Sequence, residues 1–347
     1  MGEGMTAEHA AKVAFLRTPG ALGDGPQVEW IETHMSCVCL TEHYAWKLKK
    51  PVRLPYVDYS TLERRRRSCE TELRLGRRLA SDVYLETVPI TSGAGGLAIG
   101  GAGEIVDWLL VMRRLPLERM LPQMLARGEA TVVHADSVAD VLAAFYRQAA
   151  RAPWSEAEYR SRLHDTTLAN ARELVERGRP RSEIEPIVGG FVANLEREAA
   201  VLSARVAAGR VVDAHGDLRP EHICLETPPL VIDPLEFDDE LRTLDAISEL
   251  AFLALECDRL GATWFGERVI ARYAERSGDV ASPTVIALYR TQHALTRALI
   301  ALRHLEDAPV AQHPRWHARA SDYLTRISHQ PNRDERRSST IIPPRPR

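Results

Sequence analysis

No apolar run in the chain approaches the roughly twenty residues that a bilayer span requires. The longest lies around Leu250 to Leu255, so no membrane partner is expected. Charge imbalance is missing too: 45 Lys and Arg stand against 48 Asp and Glu, a net charge of −3. Nothing electrostatic therefore argues for a nucleic-acid or membrane-surface partner. The five cysteines, Cys37, Cys39, Cys69, Cys224 and Cys257, have neither C-x-x-C spacing nor a secreted disulfide pattern. They read as small buried apolar residues in a reducing compartment, and a zinc site lacks its ligand spacing. No basic start leads into an apolar stretch, and the expected location is cytoplasmic. Met1-Gly2 with Thr6 fits a myristoylation pattern by chance, because richness in Ala, Arg and Gly suggests a bacterial protein.

What is present is ordinary globular composition over 347 residues, enough for one two-lobed domain or two small ones. The most informative stretch is His215-Gly216-Asp217-Leu218, followed by Ile232-Asp233. Between them, His222 to Leu225 and Leu230 to Ile232 are short apolar runs separated by Glu226-Thr227-Pro228-Pro229, whose prolines stop either strand. The expected geometry is a hairpin with Asp217 before its first strand and Asp233 just after its second. Phosphoryl transfer needs such a pair of carboxylates, one to accept the proton of the attacking hydroxyl and one to hold a divalent metal. An isolated H-G-D is also common in turns, so the context decides. Upstream, Tyr44-Ala45-Trp46-Lys47 reads as a strand ending in a lysine, and Ser60-Thr61-Leu62-Glu63 as a capping box opening a helix that carries Glu70 and Glu72. Strand Lys, helix Glu, loop Asp and metal Asp follow one another in the order of a protein-kinase-like fold.

In these motifs the chain resembles the aminoglycoside phosphotransferase-like kinases, the small-molecule branch of the protein-kinase-like superfamily. The resemblance rests on E-T-H-M-S (Glu32 to Ser36), Y-A-W-K-L-K-K-P (Tyr44 to Pro51), V-M-R-R-L-P (Val111 to Pro116) and H-G-D-L-R-P-E-H (His215 to His222), and runs from about Val28 to about Gly261. Some relatives of this type carry a second P-loop kinase domain; a G-x-x-x-x-G-K-[ST] motif is missing, which looks like the stand-alone form. The resemblance implies an α+β, two-lobed fold with a small antiparallel-sheet N-lobe and a mostly helical C-lobe. It implies transfer of a phosphoryl group from ATP or GTP, with Mg2+ or Mn2+, to a hydroxyl of a small molecule. Lys47 would contact the phosphates with Glu72 as its helix partner, Asp217 would be the catalytic base and Asp233 the main metal ligand. Glu70 stays open as the alternative to Glu72: the two lie about 200° apart around a helix, so only one can face the lysine. Lys47 and Lys49 share a strand face, and without the resemblance the commoner fate of Lys47 is that of a snorkelling surface lysine beside Lys49 and Lys50.

Two departures from the kinase pattern stand out. Five residues after Asp217 the template has Asn, a ligand for a second metal, and here His222 occupies that place. Imidazole suits transition metals better than magnesium. Either His222 marks a weakened second metal site with a relative preference for manganese, or it hydrogen-bonds within the catalytic loop. No G-x-G-x-x-G loop precedes Lys47; Thr33-His34-Met35-Ser36 takes its position, so phosphate contacts would come from backbone N–H groups and the Thr33 or Ser36 hydroxyls, unless this is an ordinary polar turn. Met112, at the end of a strand from Ile105 to Val111, falls where backbone groups would meet the nucleotide base.

The expected organisation is an N-terminal extension over 1–27, an N-lobe over 28–111, a C-lobe over 112–330 and a disordered tail over 331–347. Gly93 to Gly103 reads as a hairpin turn. A helix is expected from Asp136, then an apolar stripe from Val188 to Val206, a strand at Val211-Val212, a buried helix from Ile247 to Leu255 capped by Asp245, and two more around Trp264 to Tyr273 and Val285 to Leu302. In the family a matching Asp braces the catalytic loop, so Asp245 reads as structural. Glu236, Asp238, Asp239, Glu240, Glu256 and Asp258 form either an acidic cleft for a cationic substrate or, as is commoner, a solvated charged turn. The rival functional reading is a catalytically degenerate nucleotide-binding module that acts through a protein partner.

Overall fold

The computed structural model describes residues 7–23, 29–54, 56–306, 308 and 310–328. The expected tail over 331–347, Val28 and the Met1-Gly2-Thr6 pattern lie outside these residues. The described chain is mixed α+β, an antiparallel sheet followed by helices, and divides into two compact units. One runs through Pro153 and resumes over Arg205–Ala281; the other contains Trp154–Ala204 and the segment from Ser282 onward.

The first unit is built on six strands: β1 (Glu29–Glu32), β2 (Ser36–Leu40), β3 (Tyr44–Lys49), β4 (Tyr84–Gly93), β5 (Gly96–Ile99) and β6 (Glu104–Arg113). Their spatial order is β1-β2-β3-β6-β4-β5, with antiparallel pairing throughout. The glycine-rich stretch forms the β4–β5 turn, where Gly93 pairs with Gly96. Successive strand residues point to opposite faces, and the sheet uses both. Leu48 and Leu109 pack on one side with Cys37, Cys39, Ile90 and with Val13 and Leu16 of helix α1 (Ala7–Leu16). Leu110 packs on the other side with Cys69 of helix α2 (Leu62–Gly76), Val83, Tyr84, Cys224 and Leu230. Lys47 pairs with Leu110 in the sheet and therefore lies on the α2 side. All five cysteines are buried.

Helix α2 starts one residue later than the capping-box reading placed it. Thr61 is the N-cap, its hydroxyl accepting from Arg64 N–H, while Ser60 turns back to donate to Asp58. Farther on, Val132–Gln148 begins four residues before Asp136 because Thr131 and His134 form a reciprocal cap. The hairpin of the sequence reading is present: Ile223–Cys224 pairs antiparallel with Leu230–Val231. Val211–Asp213 pairs with Thr243–Asp245, and Asp245 caps Ala246–Arg259, a helix buried from Ala246 through Cys257. Thr263–Ser277 crosses that helix closely, since a side chain at Gly266 would meet the Ala254 backbone.

In the second unit, Pro283–Arg303 packs against Glu156–Glu176 and His313–Ser328. Tyr159 and Tyr289 hydroxyls meet at 3.0 Å, and Asn170 donates to Thr296. The apolar stripe read as continuous from Val188 to Val206 is divided between Arg181–Arg197 and Ala199–Ala207, with Glu198 leaving helical geometry. Periodicity alone did not reveal the break because the stripe stays in phase across it. No helix among the described residues is long and apolar enough to cross a membrane.

Candidate active site

The site lies within the first unit, and its centre is a buried carboxylate. Glu72 is 0% exposed. One of its oxygens accepts from Lys47 Nζ at 2.7 Å and the other from Lys49 Nζ. Glu70 faces outward and pairs with Arg66 at 3.3 Å, so helical phase separates the two candidates and gives Lys47 to Glu72. Lys47 also donates to Asp233 Oδ1 at 2.7 Å. Burial works against charge on Lys47, and Asp233 and then Glu72 outweigh it, holding the amine protonated with its pKa above the ordinary value. For Asp233, burial favours the neutral acid; the Lys47 ammonium prevails and keeps the carboxyl well below the usual range.

Asp233 sits directly after the hairpin in a left-handed conformation, φ 59°, that few non-glycine residues adopt. Its N–H is held by the Tyr84 hydroxyl at 2.8 Å. The preceding loop is equally constrained. Gly216 has φ 88°, and a side chain there would collide with Leu235 and Arg242. His215 and Gly216 N–H groups both donate to Glu249, which also accepts from Tyr146. His215 Nε2 lies 2.9 Å from the Ile232 carbonyl and Nδ1 accepts from Asp217 N–H, so the ring is the neutral Nε2–H tautomer. Burial pushes its pKa down to about 3. The loop and the hairpin end are thus bolted to each other.

His222 connects the two acids. Its Nδ1 lies 3.8 Å from an Asp217 carboxylate oxygen and its Nε2 3.5 Å from Asp233 Oδ2. Both nitrogens are hydrogen-bonded inside the loop, Nδ1 to the Asp217 carbonyl at 2.8 Å and Nε2 to Arg219 at 3.0 Å. A carbonyl can only accept and a guanidinium can only donate, which fixes Nδ1–H as the tautomer. Arg219 also bonds the Asp217 carboxylate at 2.9 Å.

Thr33 and Ser36 stand at the β1–β2 turn. Thr33 Oγ1 donates to the Ser36 carbonyl and accepts from Ser36 N–H, so that hydroxyl closes the hairpin, as Thr41 does with Tyr44 at the next turn. Met112 pairs with Ala45 and Tyr84 and packs on the same cluster as Ile232, beside Asp233. Of the acidic residues beyond Asp233, Asp239 and Glu240 are exposed to solvent. Glu236 turns inward to Lys49, Tyr59 and Ser68, Asp238 caps a short helix, Asp239 pairs with Arg242 and Glu256 with Arg259.

Asp233 and Asp217 offer hard oxygen donors, and the Asp233 side chain is 46% exposed, which suits a divalent ion shared with phosphates and water. Among the described residues no cluster of three or more His, Cys, Asp or Glu is arranged to hold a metal by itself. Arg219 and Glu249 escaped the sequence reading, while Lys49 and Glu236 figured in it only as a strand-face neighbour of Lys47 and as part of an acidic run, without the ion pair they make. The lone Glu249 in an apolar helix, and Lys49 on the face of Lys47, were the available signals. Asp245, expected to be structural, grips Arg205 and caps its helix through Ile247 N–H, and Glu249, one helical turn farther along Ala246–Arg259, accepts from the loop N–H groups.

No protein-family model matches the chain. It is 33% identical over 285 residues to Uncharacterized protein Mb2027c of Mycobacterium bovis and to Uncharacterized protein Rv2004c of Mycobacterium tuberculosis, a match that takes in 80% of this chain and 55% of each relative. The chain thus spans about half the length of the curated relatives it matches. Among solved structures, a choline/ethanolamine kinase family protein from Mesorhizobium loti superposes with a TM-score of 0.51 at 16% identity, over 91% of this chain and 99% of that one. The GDP complex of wild-type aminoglycoside 2′-phosphotransferase-IIIa gives 0.50 at 14%, over 92% and 97%. A thermostable mutant of aminoglycoside phosphotransferase APH(4)-Ia gives 0.51 at 10%, over 88% and 96%. The chain therefore shares the protein-kinase-like fold of these structures.

Proposed function

We propose that this chain is a phosphotransferase that moves the terminal phosphoryl group of ATP or GTP to a hydroxyl of a small molecule. The observation that carries the reading is Lys47, held between Glu72 and Asp233, with Asp217 linked to Asp233 through His222. In this reading Lys47 releases Asp233 to bind nucleotide phosphates while Glu72 keeps the amine in place. Asp217 orients the acceptor hydroxyl and takes its proton as the hydroxyl oxygen bonds to phosphorus and the bond to the leaving diphosphate breaks. Arg219, beside Asp217, places positive charge where the transferred group gathers negative charge. Asp233 is the proposed ligand of Mg2+ or Mn2+, which when bound neutralises phosphate charge. His222 would join it only by giving up Arg219. The Thr33–Ser36 turn would cover the phosphates through backbone N–H groups, and backbone around Met112 would meet the base. The fold leaves the acceptor open.

The test is a phosphate-transfer assay across a metabolite panel, with ATP and GTP and each metal in turn, preceded by thermal-shift measurements of nucleotide binding. Transfer to at least one hydroxyl acceptor is the expected result. His222 in the place of the template Asn favours one rival, a nucleotide-binding module without turnover. Metal-dependent nucleotide binding with no transfer to any member of a broad panel would decide for it.

A further inference from the structure

Lys49 and Glu236 have no task in the mechanism above, yet they are placed with more constraint than most of the site. The Lys49 side chain is 1% exposed and that of Glu236 is 7% exposed. They bond to each other across 187 positions of sequence. Glu236 also accepts from the Tyr59 hydroxyl at 2.6 Å and Ser68 at 3.3 Å, and Lys49 lies 5.3 Å from the centre of the Tyr59 ring. Lys49 shares Glu72 with Lys47, one carboxylate oxygen to each. A buried ion pair contributes little stability over well-packed apolar residues, because removing both charges from water costs about what their attraction returns. Stability alone is therefore a weak reason for the pair.

Its position gives a better one. Asp233-Pro234-Leu235-Glu236 is pinned through Asp233 N–H to Tyr84, Leu235 N–H to the His215 carbonyl, and the Glu236 side chain to Lys49, Tyr59 and Ser68. Apart from Lys47 itself, the Glu236 contact is the one of these that runs to β3, the strand carrying Lys47. When Lys47 turns to a phosphate, its link to Asp233 is lost and the link from Lys49 to Glu236 stays.

Resting on the phosphotransferase reading, we propose that Lys49 and Glu236 are positioning residues: a permanent tie that keeps Asp233 in register with Lys47 after the direct contact between those two is given up to the metal-bound nucleotide. The tie touches neither nucleotide nor acceptor. It acts by coupling the metal ligand to the phosphate ligand, so its loss uncouples metal from nucleotide while leaving each able to bind.

The experiment measures ATP affinity by calorimetry with and without Mg2+, in the unaltered 347-residue chain and in two variants of it. Glu236→Gln removes the charge and keeps the size and an acceptor for Tyr59; Lys49→Met/Glu236→Leu replaces the pair with apolar side chains of similar volume. The ratio of the two affinities reports the coupling. It is expected to fall about tenfold in both variants, 1.4 kcal/mol of coupling, while affinity for ATP alone stays within about twofold. An unchanged ratio in a folded variant overturns the tie, and so does an equal loss of both affinities, which is what a merely structural role produces. Should the double variant not fold, Glu236→Gln decides alone. A wild-type chain whose ATP binding ignores Mg2+ refutes the reading of the site itself, and the tie with it.

Discussion

Replacing Glu72 by glutamine tests the centre of the site at constant shape. The carboxylate is fully buried and gives one oxygen to each lysine. Two charge-assisted hydrogen bonds at about 1.5–3 kcal/mol each are lost. The amide oxygen restores one bond, still charge-assisted from the ammonium side and worth about 1.5 kcal/mol, and the amide N–H2 faces the other ammonium unfavourably. Against this, neither lysine is orphaned: Lys47 retains Asp233 and Lys49 retains Glu236. The cost should therefore stay at the lower end of the ~3–5 kcal/mol for stranding a buried charge, near 3 kcal/mol. At ~2–4 °C per kcal/mol for a unit of this size, the melting midpoint should fall about 6–12 °C. Differential scanning calorimetry reads this directly, with Glu70→Gln as the control that leaves the midpoint in place because Glu70 makes only a surface pair. A fall of less than about 2 °C would show that the lysines do not lean on Glu72. A chain that no longer folds would show that Asp233 and Glu236 do not hold them. Metal–nucleotide affinity should weaken as well, since Lys47 then rests on Asp233 alone.

Asp217→Asn should retain nucleotide binding and lose about 10²–10⁴-fold in phosphoryl transfer to whichever acceptor the panel identifies, the usual worth of a positioned base; near wild-type transfer would remove Asp217 from that role. Gly76→Ala should perturb Asp233 from a distance, because the added methyl would lie 2.4 Å from the Tyr84 ring whose hydroxyl holds Asp233 N–H. Metal–nucleotide affinity is expected to drop with the melting midpoint, and a variant unchanged in both would contradict the tight contact. The pH dependence of the second unit should carry a contribution from Glu173, which Arg303 and Arg177 hold down to about 2 from an ordinary 4.5. A depressed carboxyl stabilises the fold above its unfolded value and ceases to do so as pH falls through its folded value. Glu173→Gln should therefore be less stable than wild type above about 4.5, with the difference vanishing toward about 2; a difference that persists at the acid end in urea titrations would refute the assignment.

Much of the site could be read from sequence because it is written in local terms. The prolines after Glu226 fix the hairpin, and an Asp on either side of it follows from that alone. Asp245 before an apolar run is a cap, and the run is a buried helix. Strand alternation put Lys47 and Lys49 on one face. Helix periodicity made Glu70 and Glu72 exclusive alternatives without choosing between them. The choice required knowing which side of α2 meets the sheet, a relation between segments 25 residues apart. The inward turn of Glu236 depends on an ion pair with Lys49 spanning 187 residues, and nothing in the acidic run Glu236, Asp238, Asp239 and Glu240 marks the first as different from the rest. His222 was left with two readings because imidazole chemistry permits both; its hydrogen bonds to Arg219 and the Asp217 carbonyl come from the folded loop. What the sequence determined by itself were the elements and the chemically capable residues, since propensity, capping and periodicity act over a few positions. Which charges are buried together was decided only by tertiary structure, because a carboxylate's partner is whatever cation the packing of distant faces brings within hydrogen-bond reach.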